Sequence, residues 1–334
     1  MEVKENVKAT TWCNKLYNFL DAIIATIICA HLTRWGYFFL PAIVLILLLI
    51  TKQWLVIKIY LFWLWRTDNQ TPEKCGRRIQ FICRLKIWQY LRNYFPVNVI
   101  QEAELDSQKN YLFCAYPHGT FPYGMVTLNI LYEKNYDHIF RHHTPYLLTS
   151  KSFFYSPIYR DLILALGMCT STRKSIRSIL KPHDGGKVAI VMGGGMEEAL
   201  NSHPDEYNII LSSCKEYIEM AIELGTPLVP VFSFGEVDVF KQVNNPKGSF
   251  IRRIQEFTIK VLNIAPLIIF NIIPKRVPIN IVVGKPIEVE KDEYPDKEVV
   301  EKLQLQFKNQ LVEMFENYKK TYLENSENIK LIIE

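Results

Sequence analysis

The stretch Lys187-Val188-Ala189-Ile190-Val191-Met192-Gly193-Gly194-Gly195-Met196-Glu197-Glu198-Ala199-Leu200 decides the fold. Its first six residues form an apolar run of the length of a buried strand, and three glycines then break it before a helix-forming segment. A strand buried on both faces that turns through glycine into a helix belongs to an α/β sheet. Outward from it, three further runs have the same character: Tyr111–Tyr116, residues 227–234, and Ile279–Val283. Helical patterns lie between them. Ser213 and Glu216 stand at capping-box spacing, Tyr217, Met220, Ala221 and Leu224 fall on one face, and Gly225 follows as a stop. From Val300 to Tyr322, Leu303, Phe307, Leu311, Met314, Phe315 and Tyr318 continue a helical stripe that reads as a packing face. The expectation over residues 67–334 is a mainly parallel or mixed α/β sheet flanked by helices.

Residues 1–66 have a different texture. An apolar stretch at 19–32 contains Asp21 and His31, and no small-residue cleavage pattern follows it, so it does not read as a secretory signal. Residues 36–50 are almost purely apolar, Thr51-Lys52-Gln53 interrupts, and residues 54–65 resume with Lys58 inside. A span of about 30 Å of hydrocarbon needs roughly 20 helical residues, and neither half reaches that alone. The pattern predicts an N-terminal hydrophobic membrane hairpin or re-entrant anchor, with one long tilted span, kinked at Pro41, as the alternative. Lys4, Lys8 and Lys15 precede it, and Arg66, Lys74, Arg77, Arg78, Arg84, Lys86 and Arg92 follow it, which fits both ends in the cytosol. Trp35, Trp54, Trp63 and Trp65 stand where interfacial aromatics are expected. A second apolar run, 264–273, is too short to span and reads either as core or as a surface that dips into lipid.

Composition narrows the function classes. The 334 residues are 49% hydrophobic and 22% charged, which excludes disorder and leaves ample material for a core. A net charge of +5 without a long basic run gives no sign of nucleic-acid binding. Seven scattered cysteines, without close spacing, argue against a disulfide framework or a zinc site and for a reducing compartment. No Walker loop, dinucleotide fingerprint or nucleophile elbow is present, so no cofactor is implied.

In an open α/β sheet the carboxyl ends of the strands line the ligand crevice. The first run exits into Tyr116-Pro117-His118-Gly119-Thr120, the second into Gly193-Gly194-Gly195, and the third into Gly235-Glu236. His118, fixed between a proline and a glycine, suits a general base that meets a substrate hydroxyl. The three glycines allow backbone N–H groups to approach an oxyanion or a phosphate. Glu198 is placed to orient the imidazole or to contact the acceptor, whereas Glu197 reads as the start of a solvated helix. A direct transfer driven by one base fits this set better than a covalent relay.

These blocks resemble the type 2 diacylglycerol acyltransferases and their monoacylglycerol and wax-alcohol relatives, over most of the chain. Thr71-Pro72-Glu73-Lys74-Cys75-Gly76-Arg77-Arg78 is similar to that family's segment after the membrane region, and Trp88 through Tyr94-Phe95-Pro96 to the block that follows. Tyr116-Pro117-His118-Gly119 resembles its histidine motif, and Gly194-Gly195-Met196-Glu197-Glu198-Ala199-Leu200 its glycine–glutamate block. Leu228-Val229-Pro230-Val231-Phe232-Ser233-Phe234-Gly235-Glu236 is the most specific match, and Val282-Val283-Gly284-Lys285-Pro286-Ile287 is similar to the closing motif. There are departures. Cys214-Lys215-Glu216-Tyr217 stands where the family shows Arg-Lys-Gly-Phe, and a His-Gly-Arg-Gly element is missing between Ile268 and Pro278. The His-x4-Asp spacing of the glycerophosphate acyltransferases is absent, because Tyr123 occupies the acidic position.

The resemblance implies a glycerolipid-acyltransferase-like fold and a membrane-bound enzyme of the endoplasmic reticulum or lipid droplet. Acyl-CoA would be the co-substrate, diacylglycerol the first acceptor, and triacylglycerol the product. Monoacylglycerol or a long-chain alcohol is the rival acceptor, and a catalytically silent lipid-binding protein is the rival class. His118 and Glu198 would be catalytic. Tyr116, Pro117, Gly119, Gly193, Gly194 and Gly195 would contact substrate, and Arg77 and Arg78 would meet headgroups or the phosphates of coenzyme A. Expected partners are acyl-CoA, the acceptor and the bilayer, without nucleic acid. Self-association is left open.

Overall fold

The computed structural model describes residues 19–334 apart from 31, 33, 132–139 and 182–184. The chain begins in helix α1, residues 19–30, followed by α2 (Arg34–Ile50) and α3 (Trp54–Trp63). Short α4 (Gln80–Cys83) and α5 (Lys86–Tyr94) lead into β1 (Val97–Gln101) and β2 (Tyr111–Tyr116). Then come α6 (Tyr123–Leu131), β3 (Thr144–Thr149), α7 (Tyr159–Ala165), β4 (Met168–Thr170), α8 (Arg173–Ile179) and β5 (Lys187–Met192). The rest runs α9 (Gly195–Leu200), β6 (Tyr207–Ile209), α10 (Lys215–Leu224), β7 (Leu228–Phe234), α11 (Phe250–Leu262), β8 (Ile279–Val283), α12 (Lys297–Tyr322) and β9 (Leu331–Ile333).

Seven strands form one mixed sheet in the order β1-β8-β7-β2-β5-β3-β4, and β6 pairs with β9 in a small second sheet. β7, β2, β5, β3 and β4 are parallel, while β8 runs antiparallel to β7 and carries β1 beside it. β2 lies between β5 and β7, with Phe113 opposite Ile190 on one side and Val229 on the other. Every residue of β2, β7 and β8 is buried, which is why these strands read as continuous apolar runs. The faces alternate. Phe113, Ala115, Val229 and Ile281 join a core with α5, α6 and α7, and Leu112, Cys114, Phe232 and Val282 join a second core with α8, α10 and α12. On α12 the expected stripe is the packing face, with Val300, Leu303, Phe307, Leu311, Met314 and Phe315 buried. α10 stops at Gly225 in the left-handed conformation, as its sequence signals, but Ile218 and Ile222 are buried with Met220 and Ala221 in place of Tyr217 and Leu224.

The N-terminal segment departs from its sequence reading in two ways. The apolar run breaks at Thr51–Lys52, so the single long span is not formed, and α2 and α3 make a pair. No helix among the described residues is long and apolar enough to cross a membrane, so the expected hairpin is not supported as a spanning element. The 17 residues of α2 reach about 25 Å at 1.5 Å per residue, and the 10 of α3 far less. Ala25, Ile28, Cys29 and Leu32 are buried in the same core as Tyr123 and Ile279, and the Tyr159 hydroxyl donates to the Leu32 carbonyl at 2.9 Å. Packing therefore crosses residue 66. The apolar side chains of α2 and α3, by contrast, are largely exposed. Residues 264–273, left open between core and lipid surface, are irregular chain that divides between the two: Ala265 is buried and Ile269 packs on the core, while Ile268, Phe270, Ile272 and Ile273 are exposed.

Candidate active site

The carboxyl ends of β2, β5 and β7 lie side by side at one edge of the sheet, which brings the three polar exits together. After β2 the chain passes a cis peptide bond between Tyr116 and Pro117, then His118, then Gly119 at φ +63°. His118 Nδ1 lies 3.0 Å from the Gly119 carbonyl oxygen. A carbonyl only accepts, so Nδ1 carries the proton and Nε2 keeps its lone pair. Burial lowers the His118 pKa below the ordinary histidine value, which holds the imidazole neutral near pH 7.

Two buried glutamates hold this turn. Glu198, on α9, accepts the backbone N–H of His118 with Oε1 and that of Ile210, at 2.9 Å, with Oε2. Burial pushes its pKa up to about 8, opposed by the two backbone bonds. Glu198 thus fixes where the histidine backbone sits and does not touch the ring, which corrects its expected role as an imidazole partner. Glu236, in the turn after β7, is also buried. It accepts from the Gly124 N–H at 3.2 and 3.3 Å and from the Ser233 hydroxyl at 2.9 Å. Burial pushes Glu236 up to about 7. A Cβ on Gly119 would come within 2.9 Å of the Glu236 Cγ, so glycine is what lets the turn pack onto this carboxylate. Sequence reasoning noted Glu236 as the exit of a strand and the end of the most specific matching block, without giving it a role. Its signal was an acid three residues after a serine buried in a strand, which is visible only once the fold places both beside α6.

The three glycines divide. A Cβ on Gly193 would lie 2.0 Å from the Tyr116 ring and one on Gly194 1.9 Å from Glu198 Oε2, so both are there for close packing. The Gly193 N–H donates to Ala115 at 3.1 Å and its carbonyl accepts the Ser213 hydroxyl, so Gly193 has no N–H to offer an oxyanion. That second bond is also why Ser213 forms no capping box: α10 starts one residue later, at Lys215, without a side-chain cap. Gly195 differs from its neighbours. It has φ +56° and nothing within 4 Å of its Cβ position, so it faces open space at the start of α9. Tyr116 is fully buried and meets Phe307 with ring centroids 6.2 Å apart. It supports the turn and has no surface for a substrate, and Pro117 and Gly119 are buried too.

The family model described as diacylglycerol acyltransferase matches residues 46–334. The chain belongs to that family. It is an acyltransferase. It is 34% identical over 288 residues to the 2-acylglycerol O-acyltransferase 1 of Bos taurus, covering 84% of this chain and 86% of that one. It is 35% identical over 293 residues to the diacylglycerol O-acyltransferase 2B of Umbelopsis ramanniana, covering 84% and 83%. Among solved structures, the 1-acyl-sn-glycerophosphate acyltransferase PlsC of Thermotoga maritima aligns over 90% of this chain and 98% of that one, with a TM-score of 0.42 and 14% identity.

In this acyltransferase Arg77 and Arg78, expected to meet headgroups or phosphates, serve the fold. Arg77 bridges Asp68 and Asp161 at 2.6 Å each, and the buried Arg160 shares Asp68. The Asp161 carboxylate also accepts the Tyr60 hydroxyl, which ties α3 to α7. Arg78 reaches inward and donates to the Asn129 carbonyl at 2.7 Å, to Asn129 Oδ1 at 2.9 Å and to the Pro145 carbonyl. A Cβ on Gly167 would sit 2.2 Å from its guanidinium carbon. A planar donor fork so enclosed is spent on the protein.

Proposed function

We propose that the protein transfers the acyl group of acyl-CoA directly to the hydroxyl of an acylglycerol, with diacylglycerol as first acceptor and triacylglycerol as product. The observation that carries the mechanism is the bond between His118 Nδ1–H and the Gly119 carbonyl. With that proton placed, Nε2 takes the acceptor's hydroxyl proton as the oxygen bonds to the thioester carbonyl carbon. The tetrahedral oxyanion then collapses, the C–S bond breaks, and the coenzyme A thiolate leaves and is protonated by the imidazolium. Gly195, open at the start of α9, supplies a backbone approach to the oxyanion. Direct transfer is supported by the chemistry of the thiol in the strand that leads to His118. Cys114 is buried in β2 and its pKa is raised well above the ordinary value by that burial, so it does not serve as a nucleophile.

The acceptor is a lipid, and the exposed apolar side chains of α2 and α3 support association with a bilayer surface, at the endoplasmic reticulum or a lipid droplet. A second acceptor is favoured by one observation, the similarity to a protein named 2-acylglycerol O-acyltransferase 1: a monoacylglycerol in place of diacylglycerol. A long-chain alcohol is the third arm of the test. Purified protein in vesicles, given labelled oleoyl-CoA with diacylglycerol, monoacylglycerol or hexadecanol, should place label mainly in triacylglycerol. Label mainly in diacylglycerol or wax ester keeps the mechanism and replaces the acceptor. No ester from any acceptor, with folded protein, overturns the reading.

A further inference from the structure

Residues 235–278 connect β7 to β8. Because β8 runs antiparallel to β7, both ends of this connection open at the carboxyl edge of the sheet, where His118 stands. Its middle is α11 followed by the irregular run 264–273. On α11 the usual sidedness is reversed. The residues turned to the protein are polar: Arg252 bonds Asn201 Oδ1 at 2.7 Å, and Gln255 accepts from Asn245 at 2.8 Å, both side chains being buried. The residues turned outward include five large apolar ones, Phe250, Ile254, Phe257, Val261 and Leu262, with Phe250 78% and Phe257 66% exposed. Arg253, Glu256 and Lys260 are exposed beside them. In the run that follows, Phe270 is 66% and Ile272 77% exposed. A helix in contact with water does the opposite.

Charge says what covers this face. Residues 241–276 hold seven Lys and Arg and one Glu, Glu256, which is paired with Arg252 at 2.8 Å. The whole chain is +5, so everything outside this segment sums to −1. At the other edge of the sheet, where Ile287 bridges Leu228 at the start of β7, residues 288–301 hold seven acids and two lysines. The segment after β3 touches both the end of α11 and α2. Asn263, ending α11, donates to Ser150 at 3.2 Å, and Ser156, in the same turn after β3, donates to the Tyr37 carbonyl of α2 at 2.7 Å.

We propose that α11 and residues 264–273 form a second membrane-contacting element, lying in the plane of an anionic lipid leaflet. An apolar face rimmed by Arg253, Lys260, Lys275 and Arg276 is what such a surface takes, with side chains entering to about 5–10 Å. The bilayer then covers the carboxyl edge of the sheet, and the acceptor reaches His118 from the lipid side. That consequence rests on the proposed acyl transfer. The contact itself does not, and is measured without turnover.

The test places a single fluorescent amino acid at position 257, and in separate proteins at 270 and 294, in the full chain. Each is reconstituted in mixed phosphatidylcholine and phosphatidylserine vesicles containing nitroxide-labelled phosphatidylcholine. Tyr294, 88% exposed in the acidic segment, is the control. Quenching at 257 and 270 should exceed that at 294 by about threefold or more, and should weaken when phosphatidylserine is omitted or in R253S/K260S. Quenching at both positions equal to that at 294 overturns the proposal. So does a label at 257 that is shielded from water, without lipid and with rising protein concentration, because the face is then an interface between copies of the chain. Quenching as expected in a protein that forms no ester from any acceptor leaves the membrane element standing and removes only the acyl-transfer reading.

Discussion

The side-chain carboxyl of Glu198, buried on the helix after the glycine loop, accepts the backbone N–H of His118 and leaves its ring alone. The acid therefore locks the position of the catalytic turn, and the proton on the ring is set by the Gly119 carbonyl. Glu198→Ala should orphan two buried N–H groups, at roughly 1–3 kcal/mol each, read as a lower unfolding temperature. Glu198→Gln keeps one acceptor oxygen and should fall between. In both variants the pH at which kcat/KM turns over should stay where it is in the wild type. A moved inflection would make Glu198 a partner of the imidazole.

Glu198 and Glu236 are raised by burial from 4.5 to about 8 and about 7. The folded state thus holds these protons more tightly than the unfolded chain. The stability they contribute is fully present below about pH 4.5 and is lost as pH rises through the folded values, with a slope of at most about 1.4 kcal/mol per pH unit per group. The unfolding temperature of the wild type should fall between pH 5 and 8. Glu236→Gln, a neutral group of the same shape, should flatten that fall, and an unchanged slope would contradict it.

Gly195 is the glycine of the loop whose Cβ position is open. Gly195→Ala meets only the left-handed backbone penalty, about 1–2 kcal/mol. Its unfolding temperature should drop by a few degrees while kcat/KM falls tenfold or more, because the methyl group enters the space assigned to substrate. Gly194→Ala should instead fail to fold properly, since its Cβ overlaps Glu198.

Arg78 donates to three acceptors inside the fold. Arg78→Lys should cost about 3 kcal/mol of stability by leaving some of them unmatched. The KM for acyl-CoA should be unchanged in the folded fraction. A raised KM at full stability would return this residue to the substrate.

The sheet was legible where burial on both faces made strands continuous and apolar, as in β2, β5, β7 and β8. It was not legible in β3, whose Thr144 and Pro145 resemble a turn, nor in three-residue β4, because these strands owe their pairing to neighbours already in place. His118 stood out by its flanking proline and glycine. The role of Glu198 did not, since nothing local separates a carboxylate that grips a backbone from one that grips a ring. Arg78 was misread for a like reason: a basic run beside an apolar segment has the same sequence whether its side chains turn to phosphate or to Asn129.

The most direct test of the account is acyl transfer by wild type and by His118→Ala, at matched unfolding temperature, with labelled oleoyl-CoA and the preferred acceptor in vesicles. Loss of a positioned general base should lower kcat by about a hundredfold or more. In the wild type, kcat/KM should fall about tenfold per pH unit below a pKa that lies under 6.5, the ordinary histidine value. Full activity in His118→Ala would contradict the central claim.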